Sequence, residues 1–122
     1  MKYKISVTKY FSAAHNLRNF KGKCEKLHGH NWQVRVYAGG NKLNRTGMLI
    51  DFSQLKAILD LILSRLDHAY LNEIAPFNKI NPTAENIAGY IFDAVKKRTG
   101  SAATITEVEV WESESSCASV AE

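Results

Sequence analysis

Apolar residues recur at two different periods along this chain, and the places where the period changes fix the order of its elements. From residue 3 to 14 they alternate loosely, with Tyr3, Ile5 and Val7 in one phase among β-branched and aromatic neighbours, which predicts a long strand ending near His15. The polar run from Asn16 to Leu27 reads as a loop. A second strand follows over residues 31–38, where Trp32, Val34 and Val36 stand out of phase with Gln33 and Arg35, and Gly39-Gly40-Asn41 closes it. The period then lengthens. Asp51 is a capping residue with Gln54 three positions on, and Leu55, Ile58, Leu59, Ile62, Leu63 and Leu66 fall at helical spacing, predicting a helix from about Ser53 to Leu66. Pro76 and Pro82 bracket a loop, and Thr83 can cap a second helix with Ile87, Ile91, Phe92 and Val95 on its apolar face, stopped at Gly100. Alternation returns from Thr104 to Glu112, and Cys117 to Val120 predicts a short last strand.

The order β-β-α-α-β-β predicts an α+β domain: an antiparallel four-stranded sheet with two helices on one face. With 122 residues, 45% of them apolar, the chain is expected to be a single domain over 1–122. So small a sheet has exposed edges and one uncovered face, and closing several copies into a barrel removes the edges, so a homo-oligomer is expected. Lys and Thr interrupt the apolar residues of the N-terminus, which excludes the core of a signal peptide. No run of about 20 apolar residues is present to cross a bilayer, and the expected location is the cytoplasm, with Cys24 and Cys117 reduced. The net charge of +4 permits an anionic partner. Because the basic residues are scattered and not interleaved with aromatics, a non-catalytic anion- or nucleic-acid-binding module is only the remote alternative.

His28-Gly29-His30 is the densest chemical signal. Residues two apart at the start of a strand point to one face, about 6.6 Å apart along the backbone. With His15 at the end of the neighbouring strand, three imidazoles are expected to offer three corners of a tetrahedron and leave a fourth open, the pattern of a catalytic zinc. The alternative is three hydrogen-bonded or surface histidines. Neutral imidazoles suit Zn2+ better than magnesium or calcium, which prefer oxygen. Cys24 sits four residues before His28 with Lys21, Lys23 and Lys26 nearby, surroundings that favour a reactive thiolate over a packed thiol. Asp67-His68 is either a proton-relay pair or a histidine favoured by a helix C-terminus. Glu112 shares a phase with Val108 and Val110, so it either meets a ligand N–H group or is solvated past the end of its strand.

Taken together, Phe11-Ser-Ala-Ala-His15, Cys24-x-x-x-His28-Gly-His30, Leu66-Asp-His68, Asn81-Pro-Thr-Ala-Glu85 and Val110-Trp-Glu112 resemble the 6-pyruvoyl-tetrahydropterin synthase superfamily over nearly the whole chain. The three-residue gap between the cysteine and His-Gly-His is most similar to the bacterial 6-carboxy-5,6,7,8-tetrahydropterin synthases of queuosine biosynthesis. The resemblance implies a zinc-dependent lyase of the tunnelling fold, a trimer or hexamer with shared active sites. Its substrates would be 7,8-dihydroneopterin triphosphate and water, and its products 6-carboxytetrahydropterin, acetaldehyde and triphosphate. It further implies His15, His28 and His30 as zinc ligands, Cys24 as proton acceptor, Asp67 and His68 as a relay dyad, Glu112 as the acid that anchors the pterin ring, and Thr83 as a pterin contact. A 6-pyruvoyl-tetrahydropterin synthase or a related pterin side-chain lyase is the alternative on the same scaffold. The segment Ser116-Cys-Ala-Ser-Val120 lacks the aromatic residue that the likeness leads one to expect near position 120.

Overall fold

The computed structural model describes all residues from 1 to 122. Strands β1 (Tyr3–His15) and β2 (His28–Gly40) form a long antiparallel hairpin. Helix α1 (Phe52–Leu63) follows, then a two-residue strand β3 (Ala69–Tyr70), helix α2 (Ala84–Thr99), and the hairpin of β4 (Thr104–Ser113) with β5 (Ser116–Ala121). Both helices start where the sequence puts a cap. Asp51 accepts from the Ser53 amide at 2.8 Å, and Thr83 accepts from the Asn86 amide at 3.1 Å, each satisfying an amide that the first helical turn leaves bare. Gly100 ends α2 at φ +56°, a region that a residue without Cβ enters freely.

The sheet differs from the expected one. It has five strands in the order β3-β1-β2-β4-β5 and is mixed, because β3 pairs parallel with Ala13 and Ala14 of β1. Two residues are too few to show an alternation, so this strand leaves no periodic trace in the sequence. Helix α1 also stops at Leu63, short of Leu66. Leu66 is fully buried and keeps the helical spacing, but it sits in the tight turns that carry the chain from α1 to β3.

Both helices cover one face, α1 over β1 and α2 over β4 and β5. The core lies between, with Val7 and Phe11 from β1, Trp32, Val34 and Val36 from β2, and Leu55, Leu59, Ile87 and Ile91 from the helices. On β4 the buried phase switches between Ile105 and Val108, because a bulge inserts one residue opposite Tyr37 and Ala38. The other face is polar: Tyr37 donates to Glu109 at 2.6 Å, and Arg35 donates to Thr8 at 3.0 Å. No helix is long and apolar enough to cross a membrane.

Candidate metal centre and active site

The hairpin register brings the three histidines together. His15 is the direct cross-strand partner of His28, and Ala13 is the partner of His30. His15 therefore lies opposite one imidazole and diagonal to the other, on the face that also carries Phe11 and Trp32. The ring centroids are 4.6, 4.9 and 5.2 Å apart and meet edge to face. One nitrogen from each ring can be chosen so that all three lie within 4.8 Å of one another. Nitrogens on a tetrahedral zinc with bonds of about 2.0–2.1 Å sit about 3.4 Å apart, so small side-chain rotations close the site.

Backbone carbonyls decide which nitrogens face inward. His15 Nδ1 lies 2.8 Å from the Pro82 oxygen, and His28 Nδ1 lies 2.8 Å from the Lys26 oxygen. A carbonyl only accepts, so each Nδ1 carries the proton and each Nε2 presents a lone pair, the outer-sphere arrangement that orients metal-binding histidines. The Nε2 atoms of His15 and His30 are buried without a hydrogen-bond partner, although His15 is only 2% exposed. Burial, reinforced by His15 and His28, lowers the His30 pKa against the opposing pull of Glu112 and Glu25, favouring the neutral form that binds metal. Trp32 floors the cluster, its ring 4.9 Å from His15 and 5.2 Å from His30. Unpartnered inward nitrogens and an all-imidazole donor set fit zinc.

Glu112 reaches the same cluster, with one carboxylate oxygen 3.8 Å from His15 Nε2 and the other 3.7 Å from His30 Nε2. Those separations are too long for hydrogen bonds. A cavity of about 350 Å³ opens beside His15 and is lined by Thr83, Glu85, Glu112 and Cys117 among others. A second, of about 500 Å³, is lined by His30, Ser12, Asn31, His68 and Tyr70 among others. The histidine cluster thus has a wall in each.

Residues 4–122 match the 6-pyruvoyl tetrahydropterin synthase family. The chain belongs to that family. A Synechocystis protein named 6-carboxy-5,6,7,8-tetrahydropterin synthase is 47% identical over 87 residues, which cover 67% of this chain and 66% of that protein. A Pyrococcus furiosus protein named dihydroneopterin monophosphate aldolase is 33% identical, covering 92% of this chain and 91% of its own. Among solved structures, the Caenorhabditis elegans 6-pyruvoyl tetrahydropterin synthase superposes with a TM-score of 0.86 at 25% identity, covering 100% of this chain and 96% of that one. Membership makes this chain a pterin side-chain lyase by family.

The remaining sequence-predicted residues of this family member fall into place unevenly. Asp67 and His68 sit in the turn between α1 and β3, where Asp67 accepts from the Ser12 amide at 2.9 Å and stands 3.0 Å from His68 Nδ1. The Ser12 amide foremost, and then His68, hold the Asp67 carboxyl below its usual range. His68 has φ +56°, and its side chain is 83% exposed, presented at the cavity it shares with His30. Thr83 is both helix cap and cavity wall: its oxygen accepts from Asn86, which leaves its hydroxyl proton free to donate. Cys24 is exposed and free on the loop before β2 and lines neither of these cavities. Sequence reasoning missed Trp32, whose phase with His28 and His30 could have shown it. It also missed the carbonyls of Lys26 and Pro82, which no side chain advertises.

Proposed function

We propose that this chain is a zinc-dependent 6-carboxy-5,6,7,8-tetrahydropterin synthase, converting 7,8-dihydroneopterin triphosphate and water to 6-carboxytetrahydropterin, acetaldehyde and triphosphate. The observation that carries the reading is the set of three imidazoles with two buried, unpartnered Nε2 atoms beside the Glu112 carboxylate. The 47% identical relative of that name supports the choice of reaction. Zinc held by His15, His28 and His30 would supply Lewis acidity toward a substrate oxygen.

The chain's own residues do the rest. Glu112 accepts from ring N–H groups of the pterin and, with Thr83 donating its hydroxyl, fixes the heterocycle in the cavity beside His15. Cys24 takes a proton from the side-chain carbon, and His68, held by Asp67, returns or removes protons. Cys24 and His68 stand on exposed segments, which suits a site completed between subunits, and we assign the protein to a homo-oligomeric barrel, trimer or hexamer, in the cytoplasm. The likeness to a 6-carboxy-5,6,7,8-tetrahydropterin synthase supports assigning the reaction to queuosine synthesis.

The aldolase relative favours a second reading, cleavage of a dihydroneopterin-type side chain. Incubating the purified protein with dihydroneopterin triphosphate separates the two. Acetaldehyde and triphosphate in equal amounts support the synthase. Glycolaldehyde still esterified to the phosphate chain, released with a hydroxymethyl dihydropterin, refutes it in favour of the aldolase, and 6-pyruvoyl-tetrahydropterin refutes it in favour of the pyruvoyl enzyme. Cys24→Ala is expected to keep zinc while losing at least about 100-fold in turnover.

A further inference from the structure

The three residues after His15 are held as if they were a strand, but two side-chain amides stand in for one of the neighbouring strands. Asn72 accepts from the Asn16 amide at 3.0 Å and donates to the Asn16 carbonyl at 2.8 Å. Asn81 does the same for Arg18, accepting from its amide at 2.8 Å and donating to its carbonyl at 3.0 Å. The intervening Leu17 turns the other way and pairs with Glu25, whose amide donates to the Leu17 carbonyl at 2.8 Å. A carboxamide carries the same donor and acceptor as a peptide unit, so each asparagine closes a reciprocal pair of bonds.

Asn81 is tied from three sides. Besides its pair with Arg18, its own carbonyl accepts from the Asn86 side chain at 2.8 Å, anchoring it to the first turn of α2. The Arg18 guanidinium reaches over the same loop and donates to the carbonyls of Phe77 at 2.7 Å and Ile80 at 2.8 Å. The next residue along is Pro82, whose carbonyl receives the His15 Nδ1 proton. Pro82 has no amide hydrogen of its own, so its carbonyl is placed by its neighbours.

We propose that Asn81 is a positioning residue of the metal centre: by clamping its loop to Arg18 it sets the Pro82 carbonyl, and through it the tautomer and aim of His15. The proposal rests on reading the three histidines as a metal centre, and it is independent of which pterin is the substrate. Losing the clamp lets the carbonyl drift, so His15 Nε2 spends less time at its corner, and metal binding weakens while the other two ligands stay in place.

The test is zinc affinity by chelator competition, and the visible spectrum of the cobalt(II) form, on the full chain. Asn81→Ala is expected to bind zinc about 10-fold or more weakly, in the range found for outer-sphere partners of ligating histidines, with a weakened tetrahedral cobalt band. Val95→Ala, which opens the core of α2 away from the histidines, serves as the control for lost stability and is expected to keep both signals. If Asn81→Ala does not fold, Asn81→Asp carries the test, since it keeps the acceptor toward the Arg18 amide and puts a carboxylate oxygen where the donor to the Arg18 carbonyl was. A several-fold loss there supports the proposal. Wild-type affinity and spectrum in the asparagine variants, or an equal loss in Val95→Ala, overturn it. A wild-type protein that binds neither metal overturns the three-histidine centre and the proposal with it.

Discussion

Replacing His15 by leucine separates what this residue contributes to folding from what it contributes to metal binding. In the metal-free chain His15 is nearly fully buried and makes one good bond, 2.8 Å to the Pro82 carbonyl, while its Nε2 has no partner. Leucine removes both features. Stranding the Pro82 acceptor costs about 1–3 kcal/mol, and eliminating the buried, unpaired Nε2 returns a similar amount, so the two nearly cancel. The metal-free variant is expected within about 2 kcal/mol of wild type. Zinc breaks the tie. At 100 times its dissociation constant, a ligand that binds only the folded state stabilises it by about 2.7 kcal/mol. With a urea dependence of about 1–3 kcal/mol per molar, the wild-type midpoint should rise by roughly 1–3 M on adding zinc, and the variant's should barely move. Urea unfolding of both proteins, in chelator and in zinc, gives the four midpoints. Equal zinc-induced rises in the two proteins would refute the reasoning, because the metal would then be bound elsewhere.

Two further outcomes follow from local geometry. His68 holds a left-handed backbone that an L-residue enters at a cost of about 1–2 kcal/mol, and its side chain is mostly exposed. His68→Gly should therefore leave thermal stability unchanged or raised by up to about 1 kcal/mol while abolishing acetaldehyde production; a marked loss of stability would show that the side chain is structural. Asp51 has its pKa lowered from 3.8 by the Ser53 hydroxyl first and the Ser53 amide second. The folded chain then takes up this proton less readily than the unfolded one, so the carboxylate's contribution is present above about pH 4 and lost as pH falls further. Asn caps a helix equally well, so Asp51→Asn should match wild type at neutral pH and lose stability less steeply under acid titration followed by circular dichroism.

The long elements could be read from sequence because packing against the helices enforces their period. Phe11, Trp32 and Val34 alternate because the opposite face of the sheet meets polar partners, and Ile87, Ile91 and Val95 recur helically because α2 presents one stripe to that sheet. What escaped had no period to show. Strand β3 is two residues long, and β2 begins at His28, three residues before the predicted start, where His-Gly-His offers no apolar alternation. The bulge near Thr106 shifts the phase of β4 without a glycine to mark it. Among the candidate site residues, the side chains were visible and their supports were not. A histidine pair two apart is written in the sequence, whereas the carbonyls that accept from Nδ1 come from residues 26 and 82, one of them 67 positions from the ring it holds.

Register explains why the histidine cluster and the core could be inferred from the same residues. Phe11 is the cross-strand partner of Trp32, their rings stacked 6° from parallel with centroids 5.9 Å apart, and His15 is the partner of His28 on the same face of the same ladder. Slipping the hairpin by one residue would turn Trp32, Val34 and Val36 toward the polar face together with His28 and His30. Burial of three large apolar side chains, each worth about 1.5–3 kcal/mol, opposes that slip. The imidazoles are therefore held in position by packing several residues away, before any metal arrives. A site preformed in this way need only rotate its rings on binding, so the ordering cost that weakens metal sites assembled from loops falls here on folding of the hairpin.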